Sequence, residues 1–494
     1  MFISAIDMTI VNVALPAISS DLGAGVGELQ WVIDAFLVAL AGLLLVGSGL
    51  ADRFGRKRVF LGGMAAFGVA SVLCALAPSP AALIGARALM GAAAACVLPP
   101  ALSLIAVMFP PEERAQALGV WAAVAGVGLV LGPLLGGVLV DLVGWEMVFL
   151  VNVPVAIFVV PYGMRVLPES TRPGTPPLDL VGAVLSIVAL TGVVFALIEG
   201  PDAGWTSAGV IVSAILGLIS GVLFFRFELR TRAPLFDVRV LARPAVAAGA
   251  VAILAVYVAF LGSMFVLPQY LQYVQDRTVI EAGFALAPLG LGAAVGAHYN
   301  ARLFAKLGPR LTVSGGLVAM AAVTALYLVL GESTTIAVPL TGSLLIGIVI
   351  SLMVPPATAV IMNDLGEEKA GDGGAVNQLA RQVGGALGVA IIGTVFAGIY
   401  TNEIDEKLSR LALVERERAA ESIEEARSVI GRAGGTSRDV LFDRADDAFD
   451  IAARTGFGVC VAILLLAALF AAFALAPSRL IGNVHRPLPE DSAV

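Results

Sequence analysis

Ser48-Gly49-Leu50-Ala51-Asp52-Arg53-Phe54-Gly55-Arg56-Lys57-Arg58 gathers one acid and four bases into a single short stretch. Before it, residues 30–50 hold one ionisable group, Asp34; after it, residues 59–77 hold none. Each flank is about 20 apolar residues long, and at about 1.5 Å per residue a helix of that length crosses a hydrocarbon layer of roughly 30 Å. A charged turn between two such runs is the mark of a helical hairpin that leaves the membrane only to re-enter it. The solvent of this fold is lipid.

The rest of the chain repeats the theme. Apolar runs fall at residues 2–18, 30–50, 59–77, 81–108, 118–140 and 147–166, then at 178–198 and 208–225. Six more lie at 245–273, 282–304, 311–330, 336–362, 375–400 and 453–476. The expectation is an all-α integral membrane protein of about fourteen spans in a six, two, six arrangement. Of 494 residues 59% are hydrophobic and 14% charged, which leaves no material for a large soluble domain. The net charge of −7 reports little about partners, because residues 401–452 alone carry thirteen acids against eight bases.

Lysine and arginine in short loops mark the cytoplasmic side. The bases of the opening turn share a side with Arg114, Arg165, Arg172, Arg226, Arg230, Arg232, Arg239, Arg243, Arg302, Lys306, Arg310, Arg479 and Arg486. The opposite short loops offer Arg277. Both termini are therefore expected in the cytoplasm and segment 401–452 outside. That segment reads as a solvated helical hairpin, with Glu415, Arg418, Glu421, Glu424 and Arg427 at helical spacings and Gly434-Gly435 as its turn. The first span has no flank ahead of Asp7 and looks clipped at its cytoplasmic end.

An ionisable side chain within a span costs several kcal/mol unless paired or wetted, so each is a site candidate. Asp7, Asp34, Arg87 and Arg381 lie inside spans, and Glu199, Glu281 and Asp179 lie near boundaries. A carboxylate in a dry cavity takes up a proton more readily than one in water, a property suited to proton coupling. Asp7 and Asp34 fit that role; the alternatives are an ion pair or cap for Asp7 and a headgroup-hydrated interfacial position for Asp34. Arg87 must meet a carboxylate, helix carbonyls or water, and either tunes a nearby acid or serves as structure. Arg381, with Gln378 and Gln382 beside it, is read as structural. Gly128, Gly132 and Gly136 recur every four residues around Pro133, a smooth face for close helix packing.

Other chemistry is weakly represented. There is no Gly-x-x-x-x-Gly-Lys-Ser/Thr loop for a nucleotide, and no Ser/His/Asp set in the polar loops. Cys74, Cys96, Cys460, His298 and His485 lack metal-ligand spacing and read as packing or interfacial residues, so neither a disulfide nor a metal site is expected. The spread of Asp52, Arg53, Gly55 and Arg56 suggests a latch that holds two helices in one conformation and parts in another.

With these residues assembled, the chain resembles the major facilitator superfamily, and within it the fourteen-helix drug:proton antiporters. Asp7-Met8-Thr9-Ile10-Val11-Asn12-Val13-Ala14-Leu15-Pro16 is similar to that group's first-helix signature, and Ser48 to Arg58 to the loop between helices two and three. Arg87 with Gly91 resembles the fourth-helix motif, and Gly128-Leu129-Val130-Leu131-Gly132-Pro133-Leu134-Leu135-Gly136-Gly137 the fifth-helix antiporter motif. Asn152-Val153-Pro154 in the sixth span and the two inserted helices extend the likeness, and the outer segment is similar to that of quaternary-ammonium multidrug exporters. Ser48 stands where the loop motif usually has glycine, Met90 where glutamine is frequent, and the thirteenth span lacks a mid-helix carboxylate.

The resemblance implies a major facilitator fold: two six-helix bundles at 1–166 and 244–476, an inserted pair within 167–243, the hairpin 401–452, and a tail 477–494. It implies a proton-coupled antiporter that exports lipophilic or cationic small molecules from a bacterial cytoplasmic membrane. Protons and membrane lipids would be its other partners, with no cofactor, no nucleic acid and a monomeric state. Asp7, Asp34 and Arg87 would couple protons to substrate in a cavity whose aromatics include Phe36, Phe149 and Phe260. A dedicated exporter of one native lipid or secondary metabolite, a receptor or scaffold that no longer cycles, and more distantly a membrane enzyme are the other readings.

Overall fold

The computed structural model describes residues 2–171, 179–231, 234, 237–366, 369–409, 411–433 and 438–475. Arg172, Arg232, the Gly434-Gly435 turn and the tail 477–494 with His485 fall outside these residues. Among the described residues the chain is helical with no strand. The helices are α1 (Phe2–Leu22), α2 (Val26–Phe54), α3 (Arg56–Ala75), α4 (Pro80–Ala95), α5 (Leu98–Met108), α6 (Pro111–Leu142), α7 (Met147–Leu150), α8 (Asn152–Val166), α9 (Leu180–Ala203) and α10 (Ala208–Glu228). They continue as α11 (Pro244–Tyr273), α12 (Val279–Leu286), α13 (Pro288–Ala325), α14 (Ala337–Leu365), α15 (Ala370–Lys407), α16 (Leu413–Glu421), α17 (Ile423–Ala433) and α18 (Arg438–Ala474).

Among the described residues twelve helical stretches are long and apolar enough to cross a membrane, against about fourteen expected. Two of the expected boundaries account for the difference. The stretch Val279–Val329 runs for 51 residues, about 76 Å of helix, and holds two of the predicted runs. It bends at Gly308 (φ 72°, ψ 174°), a left-handed conformation that glycine tolerates, immediately before Pro309. The predicted fifth run lies in α6, of which Leu131–Leu142 is a shorter apolar helix. Proline and the lost N–H also divide the fourth run, where α4 gives way to α5 at Val97 just ahead of Pro99.

The packing falls into two groups. In the first, α2 packs on α4, α1 on α6, and α3 on α4 and α8; in the second, α13 packs on α14, and α11 on α15 and α18. They meet along two seams, α6 against α12 and α13, and α2 against α15. The inserted pair α9–α10 packs on itself and presents α9 to both α2 and α15, so it covers the second seam from outside. Its lipid-facing side shows as exposed Leu180, Val184, Ile211, Ile215 and Leu218.

Segment 401–452 is more than a solvated hairpin. Ile423, Ala426 and Ile430 of α17 are buried, and the helix packs on α18 and touches α1. Arg427 donates to the Tyr273 carbonyl at the end of α11 and lies 3.2 Å from Asp446 of α18 and 3.5 Å from Asp276. The charges at helical spacing in this segment hid a narrow apolar stripe at intervals of three and four residues.

Candidate functional site

Asp7 of α1 and Arg87 of α4 meet in the interior of the first group. Their side chains are 0% and 2% exposed, and Arg87 Nη1 donates to both Asp7 oxygens at 2.8 and 3.0 Å. Arg87 Nε donates to the Val32 carbonyl at 2.8 Å, and Nη1 also lies 3.5 Å from the Met90 sulfur. The guanidinium faces the Phe36 ring at 4.5 Å and the Phe149 ring at 5.8 Å. The buried cation has a countercharge, a carbonyl and two ring faces, which is what makes a charge tolerable in the interior. Met90, the departure from the familiar motif, supplies a soft acceptor here. Phe149, expected on a cavity wall, is instead fully buried behind Arg87 and edge-on to Trp145.

Next to this corner is a narrow crevice of about 10 Å³ between α1, α2, α4 and α11, bounded by Asp7, Met8, Phe36, Arg87 and Leu261. Met8 and Phe36 also border the central cavity, of about 110 Å³, between the two groups. Ala5, Leu40, Tyr257, Phe260, Leu289 and Ile350 give it an apolar wall, and Gln378, Arg381 and Gln382 of α15 its principal polar groups. Among the described residues no carboxylate lines it. Arg381, expected to be structural, stands in this wall with its guanidinium over the Tyr257 ring at 5.0 Å. Among the described residues it makes no hydrogen bond and no ion pair, so the structural reading lacks the partner it needs.

Asp34 is 0% exposed, and neither carboxylate oxygen has a hydrogen-bond partner among the described residues. That overturns the hydrated interfacial position. Neither cavity above touches it. At 100° per residue, Asp34 shares a face of α2 with Ala41 and Leu45, and those two line a third, apolar cavity of about 300 Å³ between α2, α9, α10, α11 and α15. Asp34 therefore faces the covered seam rather than the central cavity. Gln30, one turn away, is also fully buried with an unpartnered amide. Glu199 of α9 accepts a hydrogen bond from the Trp31 indole at 3.1 Å, and Thr394 of α15 donates to the Leu197 carbonyl of α9 at 2.7 Å. The inserted pair is thus fastened to both groups at one end of the seam.

The other sequence candidates take structural positions. Arg56 donates to Asp52 at 2.9 and 3.1 Å within the turn, and Gly55 holds φ 109° between α2 and α3. Arg53 is exposed and lies over Phe54. The contacts that span helices are Lys57 Nζ donating to the Met164 carbonyl of α8 at 2.7 Å and Glu169, which the sequence reading missed: it accepts from the Lys57 backbone at 3.3 Å and lies 3.4 Å from Arg58. A charged residue just past the end of α8, on the basic side, was its available signal. Glu281 caps α12 with Thr278 and lies 3.8 Å from Arg277.

The glycines of the fifth run do allow close approach. Gly128, Gly132, Pro133, Gly136 and Gly137 are buried; Gly132 and Gly136 lie against Thr9 and Ile10 of α1. A Cβ at Gly137 would sit 2.8 Å from the Val279 carbonyl of α12, and one at Gly283 would collide with the Pro133 carbonyl. This seam is backbone against backbone. Among the described residues there is no cluster of His, Cys, Asp and Glu able to hold a metal ion.

The family model described as Major Facilitator Superfamily matches residues 1–389. A puromycin resistance protein from Streptomyces alboniger is 40% identical over 400 residues, 80% of this chain and 79% of the relative. A tetracenomycin C resistance and export protein from Streptomyces glaucescens is 32% identical over 95% of this chain and 88% of its own length. A multidrug efflux pump from Mycolicibacterium smegmatis is 30% identical over 94% and 92%. In fold the chain is similar to a bacterial homologue of the human lysosomal transporter Spinster, inward-facing and occupied, at TM-score 0.66 and 20% identity, covering 96% and 94% of the two chains.

Proposed function

Because the chain belongs to the Major Facilitator Superfamily, we propose that this multi-pass membrane protein exports small lipophilic molecules, drugs among them, driven by a proton gradient. The observation that carries the reading is the cavity between the two helix groups, walled by aliphatic and aromatic side chains with a few convergent polar groups, the usual make-up of a small-molecule site. Relatives named for multidrug efflux and antibiotic resistance support it. Cationic cargo is the part the site favours least: Arg381 is the charge in the wall, and Asp7 is neutralised by Arg87.

In this reading Asp34 is the coupling group. An ionised Asp34 has neither donor nor countercharge among the described residues, whereas a protonated one asks little of its surroundings, so gain and loss of its proton changes what the α2–α15 seam can tolerate. Asp7 and Arg87 hold the cavity wall in place. The turn at Gly55 faces the cytoplasm, the α16–α17 segment faces out, and the carrier works as a cofactor-free monomer in a bacterial cytoplasmic membrane.

Efflux from energised cells loaded with Nile red, a neutral lipophilic dye, tests this at matched expression. A protonophore and Asp34→Asn are each expected to abolish export. Export that survives Asp34→Asn moves the coupling group elsewhere; export that survives the protonophore removes proton drive altogether. A narrower reading, export of one native compound, is favoured by relatives named for single compounds, puromycin and tetracenomycin C. Failure to move any of several unrelated dyes supports that alternative.

A further inference from the structure

We propose that Arg381 is the specificity-determining group of the central cavity and binds an oxygen anion, carboxylate or phenolate, on an otherwise aromatic, lipophilic cargo. The proposal rests on the export reading above and adds the chemical class of the substrate.

Arg381 lies roughly 15 Å inside α15, too deep for its side chain to reach the helix end. An arginine at that depth needs a partner or water, and the only water it can meet is in the cavity it lines. Arg87 shows what a satisfied one looks like in the same protein, with a carboxylate, a carbonyl and two aromatic faces around it. Arg381 has one aromatic face, Tyr257, and no anion among the described residues. Its N–H groups border an empty cavity instead.

The surroundings agree on what would fill it. Gln378 and Gln382 flank the guanidinium one turn and one residue away, and both line the cavity. Gln382 is 5% exposed, and its Oε1 accepts no hydrogen bond among the described residues, so a hydroxyl next to the anion would find an acceptor. Phe36, Phe260 and Tyr257 offer ring surface to an aromatic body. With no carboxylate in the wall, a cation placed here would meet a like charge and gain no counterion. A guanidinium fork suits two carboxylate oxygens, and such charge-assisted pairs are the stronger class of hydrogen bond.

The test uses two dyes with the same xanthene core, anionic fluorescein and cationic rhodamine 123, bound to the full-length protein in lipid nanodiscs and followed by fluorescence polarisation. Native protein is expected to bind fluorescein more tightly than rhodamine 123. Arg381→Gln should weaken fluorescein roughly tenfold or more while leaving rhodamine 123 unchanged or tighter. Arg381→Lys, which keeps the charge but not the fork, should fall between native protein and Arg381→Gln, and unchanged rhodamine 123 binding by Arg381→Gln shows that its loss of fluorescein is not misfolding. No fluorescein binding by the native protein, or an equal effect of Arg381→Gln on both dyes, overturns the assignment. Proteoliposomes separate the two readings: Arg381-dependent fluorescein binding without proton-driven movement of the dye leaves the subsite standing and removes the export reading.

Discussion

Arg87 and Arg381 are the same side chain in the same kind of helix, one in each half of the molecule, and they have opposite surroundings. Arg87 is buried among a carboxylate, a carbonyl, a thioether and two rings. Arg381 is half-buried beside one ring and an empty space. The carboxylates repeat the contrast, since Asp7 has Arg87 and Asp34 has no partner among the described residues. A charge in a membrane span is evidence of function only when its partner is missing. A satisfied charge has become part of the wall.

The contrast is most exposed to failure at Arg87→Leu. It leaves Asp7 buried and alone, and should destabilise the protein by about 3–5 kcal/mol, whereas Arg381→Leu should change stability by less than about 1 kcal/mol or raise it. Thermal unfolding in nanodiscs compares the two directly, and similar losses would erase the distinction. The rings offer a finer cut. Phe36→Leu should cost about 2 kcal/mol beside the desolvated Arg87, and Tyr257→Leu about 0.5–1 kcal/mol beside the half-buried Arg381.

Smaller still is the expected effect of removing both members of the buried pair. Asp7→Asn with Arg87→Gln should recover most of what Arg87→Leu loses, because two neutral amides need far less desolvation than two ions. If such a double variant still transports, the pair is architecture; if it is stable and inert, the charges act in the cycle. Least of all, Asp34→Asn should leave the unfolding temperature unchanged or slightly higher at neutral pH while proton-driven efflux is lost. A large destabilisation there would reveal a partner for Asp34 and cancel its contrast with Asp7.

The sequence made the spans legible, because lipid leaves no freedom in the length or composition of a crossing helix. It also made the four intramembrane charges legible as a set. What it withheld was which of them meet. Asp7 and Arg87 are 80 residues apart, and no spacing on either helix announces their contact; equally, nothing in Gln378-Leu379-Ala380-Arg381-Gln382 says that the partner is absent. The glycine run at 128–137 was readable as a packing face, but its second contact, α12, could only come from the fold. The apolar stripe of α17 was present in the sequence and was overlooked because charges dominate its neighbours.

The seam under the inserted pair has a mechanical consequence. At one end α9 is pinned to both groups, by Trp31 to Glu199 and by Thr394 to Leu197, and further along the seam becomes an apolar void. In a hydrocarbon solvent apolar surfaces lose almost nothing by exchanging each other for acyl chains, so that stretch resists separation weakly. The α6–α12 seam, where backbones touch and side chains have no room, has nothing soft to compress. Stiffness is therefore unevenly distributed around the carrier: the edge beneath α9 contains a compliant apolar stretch, and the α6–α12 edge is close-packed along its contact.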